Sequence, residues 1–421
     1  MRIGIIGAGQ VGTTLGGRWA AAGHDVIYGG RTPRATSATG ARVVTIREAV
    51  VAADAVVLAT PWAAVDEALG LAGDFGGKPL IDVTNPIASG FSLALGHTTS
   101  GAEHIAAGAP TARVVKAFNT TGLENMADPR YGERRVVMPI AGDDPDAVGI
   151  AVQLAEALGS QPVALPALAR ARELEPLAVL WIKLAIQLGH GRNIAFGLAR
   201  RTAADGVSLS PTPGPKRTIL VVGTGHIGGA LAHAWLAAGH RVRLAVRDAD
   251  APEVRGLVAR GAVATDLPGA AEVAEVVVFA VPAGAVVETA GRIGSLAGKV
   301  VVDCTNAIAK GFTLQLGHTT SSSEELAKAL PGARVVRAFN QQGAEVLGNP
   351  IFAGTPATNF IAADDPEART VVSALSVDAG LDSVEVGGLA SSRELEPIPL
   401  LWIAMAQALG TREFGLSLMR R

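Results

Sequence analysis

Three glycines near the amino end carry the first chemistry the chain offers. Gly7-Ala-Gly-Gln-Val-Gly12 follows the apolar run Ile3 to Ile6 and leads into an apolar-periodic stretch from Val11 to Ala22. That context places the glycines at a strand-to-helix turn. There Gly7 permits the tight turn, Gly9 lets backbone approach a pyrophosphate, and Gly12 allows close helix packing. Gln10 and Val11 open a helix whose N-terminus attracts phosphate charge. The pattern returns 216 residues on as Gly223-Thr-Gly-His-Ile-Gly228, with Gly223, Gly225 and Gly228 as its glycines and His226 and Ile227 opening the helix. A dinucleotide is the expected ligand of both.

The end of the next strand tells the two dinucleotides apart, since a carboxylate there accepts ribose hydroxyls and a guanidinium pairs with a 2′-phosphate. The first copy reads Gly29-Gly30-Arg31-Thr32-Pro33-Arg34. With Gly30, Arg31, Thr32 and Arg34 and no acid in the segment, NADP(H) is the expected cofactor. The second copy reads Val246-Arg247-Asp248, so Arg247 has an acidic neighbour and NADP versus NAD stays open. Further along, Thr60-Pro61 and Val281-Pro282 sit where a nicotinamide would lie, followed by Asn85 and Asn306. His97, in the loop Leu95-Gly96-His97-Thr98-Thr99-Ser100, is a candidate proton donor because its ordinary pKa is near neutrality. A histidine that satisfies a loop carbonyl is the commoner case. Asn119, Thr120 and Thr121 are the other candidates for hydrogen-bonding an imine or carbonyl acceptor.

What positions these residues is a repeated α/β unit. Asp82-Val-Thr-Asn85 returns as Asp303-Cys-Thr-Asn306, Lys116-Ala-Phe-Asn119 as Arg337-Ala-Phe-Asn340, and Arg172-Glu-Leu-Glu-Pro176 as Arg393-Glu-Leu-Glu-Pro397, each 221 residues on. Within a copy, apolar runs at Ile3 to Ile6, Val26 to Tyr28, Ala55 to Ala59, Pro79 to Val83 and Val114 to Phe118 alternate with helical patterns. This is the signature of a doubly wound parallel sheet. Beyond it, Arg135 to Ile140, a helix near Pro145 to Leu158, Pro162 to Leu165 and a long apolar helix predict a small C-terminal α/β extension. The fold class is thus α/β, with two tandem Rossmann-type NADP-binding modules. The first spans 1–201 (Rossmann core about 1–125) and the second 217–421 (core about 217–346). A Ser-, Thr-, Pro- and Gly-rich linker at 202–216 joins them. Leu177, Leu180, Trp181, Leu184, Ala185 and Leu188 recur at helical spacing, and Ile398, Leu401, Trp402, Met405, Ala406 and Leu409 repeat the stripe. These stripes predict that the copies pack as an intramolecular pseudo-twofold pair.

The bulk properties narrow the partners. Of 421 residues 49% are hydrophobic and 51 are glycine, which suits close-packed α/β domains rather than disorder. With 36 basic against 38 acidic side chains and 4% aromatics, neither a polyanion-binding surface nor a base-stacking platform is expected, so nucleic acid is not a partner. The single cysteine, Cys304, rules out an intramolecular disulfide and a thiolate metal cluster, and no metal site is expected. A strand begins almost at Met1 and the most apolar stretch, Leu177 to Leu188, is too short to cross a membrane, so a cytoplasmic protein with no membrane partner and a small-molecule substrate is expected.

Taken together, Gly7 to Gly12, Gly30-Arg31, Thr60-Pro61-Trp62, Gly142-Asp143-Asp144 and Ala171-Arg172-Glu-Leu-Glu175 resemble the NADP oxidoreductase family that uses coenzyme F-420. The resemblance covers nearly all of each copy. It implies hydride transfer between NADP(H) and a planar deazaflavin, with Arg31 at the 2′-phosphate contact. The segment Gly142-Asp143-Asp144 reads as a helix-capping turn, and Arg172 and Glu175 as a structural pair. Asn119-Thr120-Thr121-Gly122 and the His97 loop depart from the family pattern, so another flavin, an imine or a carbonyl are alternative acceptors. A dinucleotide-gated sensor and a pair with one active copy are the competing functions.

Overall fold

The computed structural model describes residues 1–33, 40–201 and 214–421. The chain divides into two compact units. The first comprises Met1–Gly197, Ile403–Gly410 and Leu418–Arg421, the second Leu198–Trp402 and Thr411–Ser417. Arg34 and the stretch 202–213, which holds most of the expected linker, lie outside the described residues.

In the first unit, β1 (Arg2–Ile6), α1 (Gln10–Ala21), β2 (Asp25–Gly30), β3 (Val43–Thr45), α2 (Ile46–Ala52), β4 (Ala55–Leu58), α3 (Val65–Ala72), β5 (Pro79–Asp82), α4 (Gly101–Gly108) and β6 (Arg113–Lys116) build the Rossmann core. Then come α5 (Leu123–Ala127), the short hairpin β7 (Arg130–Tyr131) and β8 (Arg134–Arg135), β9 (Val137–Gly142), α6 (Pro145–Leu158), β10 (Gln161–Pro166) and α7 (Ala171–Ile182), after which the chain forms β11 (Ile194–Arg200). The sheet order is β10-β9-β6-β5-β4-β1-β2-β3. Strands β1 to β6 run parallel, and β9 joins β6 antiparallel through Val115↔Gly142 and Lys116↔Ala141. The extension therefore prolongs the same sheet. Val- and Ile-rich strands buried on both faces explain why no alternating pattern is visible in them.

The elements read as their sequences dictate. Thr45 and Glu48 close a reciprocal capping box at the start of α2. Asp144 caps α6 by accepting from the Ala147 N–H, Pro145 occupies its first turn, and Gly159 ends it in the left-handed region at φ 91°. Asp144 thus makes the acidic turn the cap expected of it, while Asp143 accepts from the Leu168 N–H and ties the turn to the segment after β10. Helix α1 buries Leu15 and Trp19. The Trp19 indole donates to the Leu154 carbonyl at 3.0 Å and meets Phe118 edge-on at 5.6 Å. Burying a ring of that size stabilises by roughly 4 to 6 kcal/mol. Helix α7 is buried along almost its whole length and runs on into a wider turn at Lys183–Gln187.

The second unit repeats the plan with β12 (Thr218–Val222), α8 (His226–Ala237), β13 (Arg241–Ala245), α9 (Pro252–Val258), β14 (Val263–Thr265), β15 (Val276–Phe279), α10 (Val286–Arg292), β16 (Val300–Asp303), the hairpin β17 (Ile308–Ala309) and β18 (Thr313–Leu314), α11 (Ser322–Ala329) and β19 (Arg334–Arg337). Its six parallel strands run β14-β13-β12-β15-β16-β19. Trp235 on α8 repeats the role of Trp19, donating to the Leu375 carbonyl at 2.9 Å and packing edge-on against Phe339. Here the parallel pair Thr358–Ile361 and Asp382–Glu385 forms its own small sheet, and a single bridge, Arg337↔Ala362, links it to β19. No described helix is long and apolar enough to cross a membrane.

Candidate active site

The site begins where β1 turns into α1. Gly7 adopts φ 110°, and its N–H donates to the Gly29 carbonyl at 3.0 Å. A side chain at Gly12 would collide with the Gly7 carbonyl oxygen, whereas nothing lies within 4 Å of a Cβ placed on Gly9. The turn is thus closed beneath and open above, a cradle that backbone alone forms. Gly9 caps α1 without any side-chain hydrogen bond, and the first turn carries no acidic residue. The free N–H groups and the positive end of the helix therefore face the opening, which fits a pyrophosphate. Gly223 (φ 97°), Gly225 and Gly228 reproduce this geometry at the start of α8, again without a side-chain cap.

A cleft of about 390 Å³ extends from the first turn. Gly7, Gly9, Gly30, Arg31, Thr32, Thr60 and Pro61 all line it, as does Glu67. Gln10, Val11 and Gly12 begin α1 outside the lining. The Arg31 guanidinium points to Glu67, Nη1 to Oε2 at 3.7 Å, with both side chains largely exposed. An acid absent from the strand-end segment is therefore supplied by α3. The matching cleft of the second module, about 500 Å³, is lined by Gly223, Gly225, Arg247, Val281 and Pro282 together with Asp248, Glu253, Glu288 and Arg292. Its acids outnumber its bases. His226, Ile227 and Gly228 begin α8 outside the lining, and Asp248 spends one oxygen on the Asp250 N–H.

At the ends of β5 and β6 the candidate acceptor residues divide by burial. Asn119, Thr120 and Thr121 are at most 8% exposed. The Asn119 amide donates to the Asn85 side chain and the Leu174 carbonyl, both at 3.1 Å, while Asn85 donates back to the Asn119 carbonyl. Asn125 donates to the Thr121 hydroxyl at 2.8 Å. These groups lock two loops and α7 together. Asn306 and Asn340 form the same link, more loosely, at 3.4 to 3.5 Å. Phe118 and Phe339, directly before the two asparagines, hold φ 62° and 60°, and His97 and His318 hold 63° and 61°. A bulky residue in the left-handed region is rare and costs of order 1 kcal/mol or more. Both modules keep the strain at matched positions. His97 is half-buried and is not among the residues lining the first cleft.

Below these loops lies a charge cluster that motif reading did not single out. The Lys116 ammonium, fully buried, sits 2.9 Å from both Asp82 and Glu175 and donates to the Thr84 carbonyl. Glu175 also accepts the N–H groups of Gly101 and Ala102 at the start of α4. Burial opposes the charge on Lys116, but Asp82 and Glu175 outweigh it and its pKa is raised. Burial likewise pushes the Glu175 carboxyl upward, against the attraction of Lys116. Arg337 takes the same place against Asp303 at 3.0 Å and Glu396 at 2.6 Å. The expected pairing of Arg172 with Glu175 is not found. Arg172 reaches Glu103 with Nε at 2.8 Å, because Glu175 faces the interior where Lys116 neutralises it. Arg393 and Glu324 repeat that contact. The repeated Asp, Lys or Arg, and Glu were the available signal.

Comparison with known proteins follows the same division of the chain. Residues 2–86 and 218–307 both match the family model "NADP oxidoreductase coenzyme F420-dependent". The chain is 34% identical over 203 residues to metalloreductase STEAP3 of Rattus norvegicus, a match covering 46% of this chain and 40% of that protein. It therefore spans less than half the length of that relative. Similar solved structures include a protein of Arthrobacter sp. FB24 described as an F420-dependent NADP-reductase (27% identity, 46% of this chain and 96% of that one, TM-score 0.43). Another is a reductive aminase from Aspergillus terreus in complex with NADPH and ethyl levulinate (24% identity, 47% and 64%, TM-score 0.37). The two matched segments, each opening on one glycine turn, show the chain to be a tandem duplication whose repeated portion is similar to that NADP oxidoreductase family.

Proposed function

We propose that the first module is an NADPH-dependent reductase whose acceptor is a planar ring of the flavin or deazaflavin type. The observation that carries this is the first cleft, in which an uncapped helix end, an open glycine turn and Arg31 converge. Gly7, Gly9 and the N-terminus of α1 would hold the pyrophosphate, and Arg31 and Thr32 the 2′-phosphate, with Arg34 a further candidate. Thr60, Pro61 and Asn85 would border the nicotinamide end. When bound, NADPH supplies a hydride.

The chain's own contribution is to orient and to exclude. Asn85 and Asn119 fix the loops at the strand ends through mutual hydrogen bonds, and Lys116 ties those loops to α4 and α7 through Asp82 and Glu175. With Asn119, Thr120 and Thr121 buried and the Asn119 amide nitrogen committed, no exposed side-chain acid stands ready in that segment. This favours a stacked planar acceptor, which needs alignment more than a proton donor, over an imine or carbonyl. The second module, richer in acids around its cleft, would bind a dinucleotide with weaker preference for the 2′-phosphate. We also read the chain as an intramolecular pseudo-dimer of its two copies.

The test is anaerobic NADPH oxidation by the intact chain with a panel of flavins, deazaflavin, a ferric chelate, imines and aldehydes. Turnover with the planar acceptors alone supports the proposal. Turnover confined to imines or aldehydes moves the acceptor to the alternative class, and tight NADPH binding without turnover leaves a sensor.

A further inference from the structure

The two modules differ in side chains just past the strand-end proline. The first carries Trp62, and the matched place 221 residues on carries Ala283. The Trp62 indole packs on the apolar cluster between α3 and α4 and meets the His104 ring edge-on at 5.4 Å. A Cβ on Gly101 would lie 3.1 Å from its Cζ3 and 3.2 Å from Pro86. His104 is in turn hydrogen-bonded to Asp66 at 2.8 Å. Every member of this assembly changes in the second module, where Val287 replaces Asp66, Ala307 replaces Pro86, Ser322 replaces Gly101 and Glu325 replaces His104.

In place of the indole the second module has a cavity of about 200 Å³. Ala283, Val286, Val287, Ala307, Leu316 and Leu326 give it an apolar wall. Most polar groups in that wall have partners of their own, and the Gln315 amide adds a further polar group. Asp303 accepts from Arg337, Thr305 and Ser323, the Ser322 hydroxyl donates to Glu396, and Glu325 takes bonds from Thr320 and Lys328. A pocket of this size, with one continuous apolar wall and its carboxylates bonded elsewhere, has the volume to accept a small aromatic molecule. The segment 282–289 divides it from the dinucleotide cleft: Pro282, Ala285, Glu288 and Thr289 face the cleft, and Ala283, Gly284, Val286 and Val287 face the cavity.

We propose that this cavity is a binding site for a compact, neutral planar ring of benzene or indole size, separate from the dinucleotide cleft beside it. The ring takes the volume that the first module fills with its own indole. This proposal rests on the unequal side chains of the two modules and not on the reductase reading.

The experiment is titration of the full chain with indole, followed by calorimetry and by saturation-transfer NMR. One saturable site per chain is expected. Ala283→Trp, which installs the residue the first module already carries, should weaken it at least tenfold, and Trp62→Ala should create a second site. Should Ala283→Trp fail to fold, Val287→Phe narrows the same cavity and must give the same loss. Saturating NADP+ should leave indole affinity within twofold. Absence of saturable binding, binding indifferent to both filling variants, failure of Trp62→Ala to add a site, or competition by NADP+ would each overturn the proposal. Loss of NADPH turnover with indole binding intact would strike only the reductase reading.

Discussion

Replacing Glu67 with glutamine should tighten NADPH binding to the first module and leave NADH nearly untouched. In the structure Arg31 is engaged before any phosphate arrives, its Nη1 3.7 Å from the Glu67 carboxylate, with the two side chains 73% and 54% exposed. An ion pair so exposed is worth at most about 1 kcal/mol. A 2′-phosphate on the same guanidinium gains about 1.5 to 3 kcal/mol as a charge-assisted hydrogen bond. The phosphate must displace Glu67, so the net advantage of Arg31 is about 0.5 to 3 kcal/mol, or roughly twofold to 150-fold in Kd. Arg31→Ala should forfeit that amount for NADPH only. Glu67→Gln should recover up to about 1 kcal/mol, about fivefold. The assay is fluorescence titration with each cofactor at low and high salt, in a background where Gly225→Asp places a carboxylate at the second phosphate cradle. Salt should shrink the Glu67 effect, because exposed charges are screened. Equal weakening of NADPH and NADH by Arg31→Ala would refute the assignment of Arg31, and looser NADPH binding in Glu67→Gln would refute the competition.

Calorimetry on the intact chain should find two dinucleotides bound, the second site discriminating less between NADPH and NADH; one per chain would show that the second cleft has lost its ligand. Burial pushes the Glu173 carboxyl from its ordinary 4.5 up to about 7, only partly offset by Arg170. The folded chain then holds that proton more tightly than the unfolded one, so stability is highest below pH 4.5 and falls toward pH 7, by at most about 3 kcal/mol. Urea melts of Glu173→Gln should lose that part of the pH dependence, and an unchanged profile would remove Glu173 as its source. Lys116→Met leaves Asp82 and Glu175 buried without their cation and should cost about 3 to 5 kcal/mol, whereas a loss under 1 kcal/mol in denaturant melts would mean that the cluster is not held by charge. Either half expressed alone, cut within 202–216, should self-associate or aggregate; two stable monomeric halves would refute the intramolecular pair.

The glycine turns, the alternation of strands and helices and the duplication were legible in the chain because each depends on near neighbours or on a fixed repeat. Gly12 must be glycine to clear the Gly7 carbonyl, and its spacing shows it. Glu67 was not legible, because it stands on a different helix from Arg31 and approaches it only when β2 and α3 lie across the cleft from each other. Lys116 and Glu175 were visible as repeated letters, but nothing local says that residues 59 apart share a charge. Arg172 and Glu175, by contrast, are close enough along a helix to pair, and burial decides otherwise by sending one outward and the other inward. Asn119, Thr120 and Thr121 carry polar side chains that suit a reactive loop. Only the packing of α5 and α7 reveals that they are buried.

The first unit is not made from one continuous run of chain, and this sets a schedule for its completion. Met419 shares a small apolar cluster with Tyr131, Val136 and Ala195. Arg421 lies over the Tyr131 ring at 4.4 Å, 2.9 Å from the Asn125 side chain and 3.3 Å from Asp128. A ribosome that has just released residue 197 still needs roughly 10 to 45 s to reach residue 421, at about 5 to 20 residues per second. Throughout that interval Tyr131, Val136 and Ala195 wait with one wall of their cluster missing. The amino-terminal module is thus among the first parts of the chain to be made and among the last to be finished, and a stalled or truncated product would present that unfinished edge to chaperones and proteases.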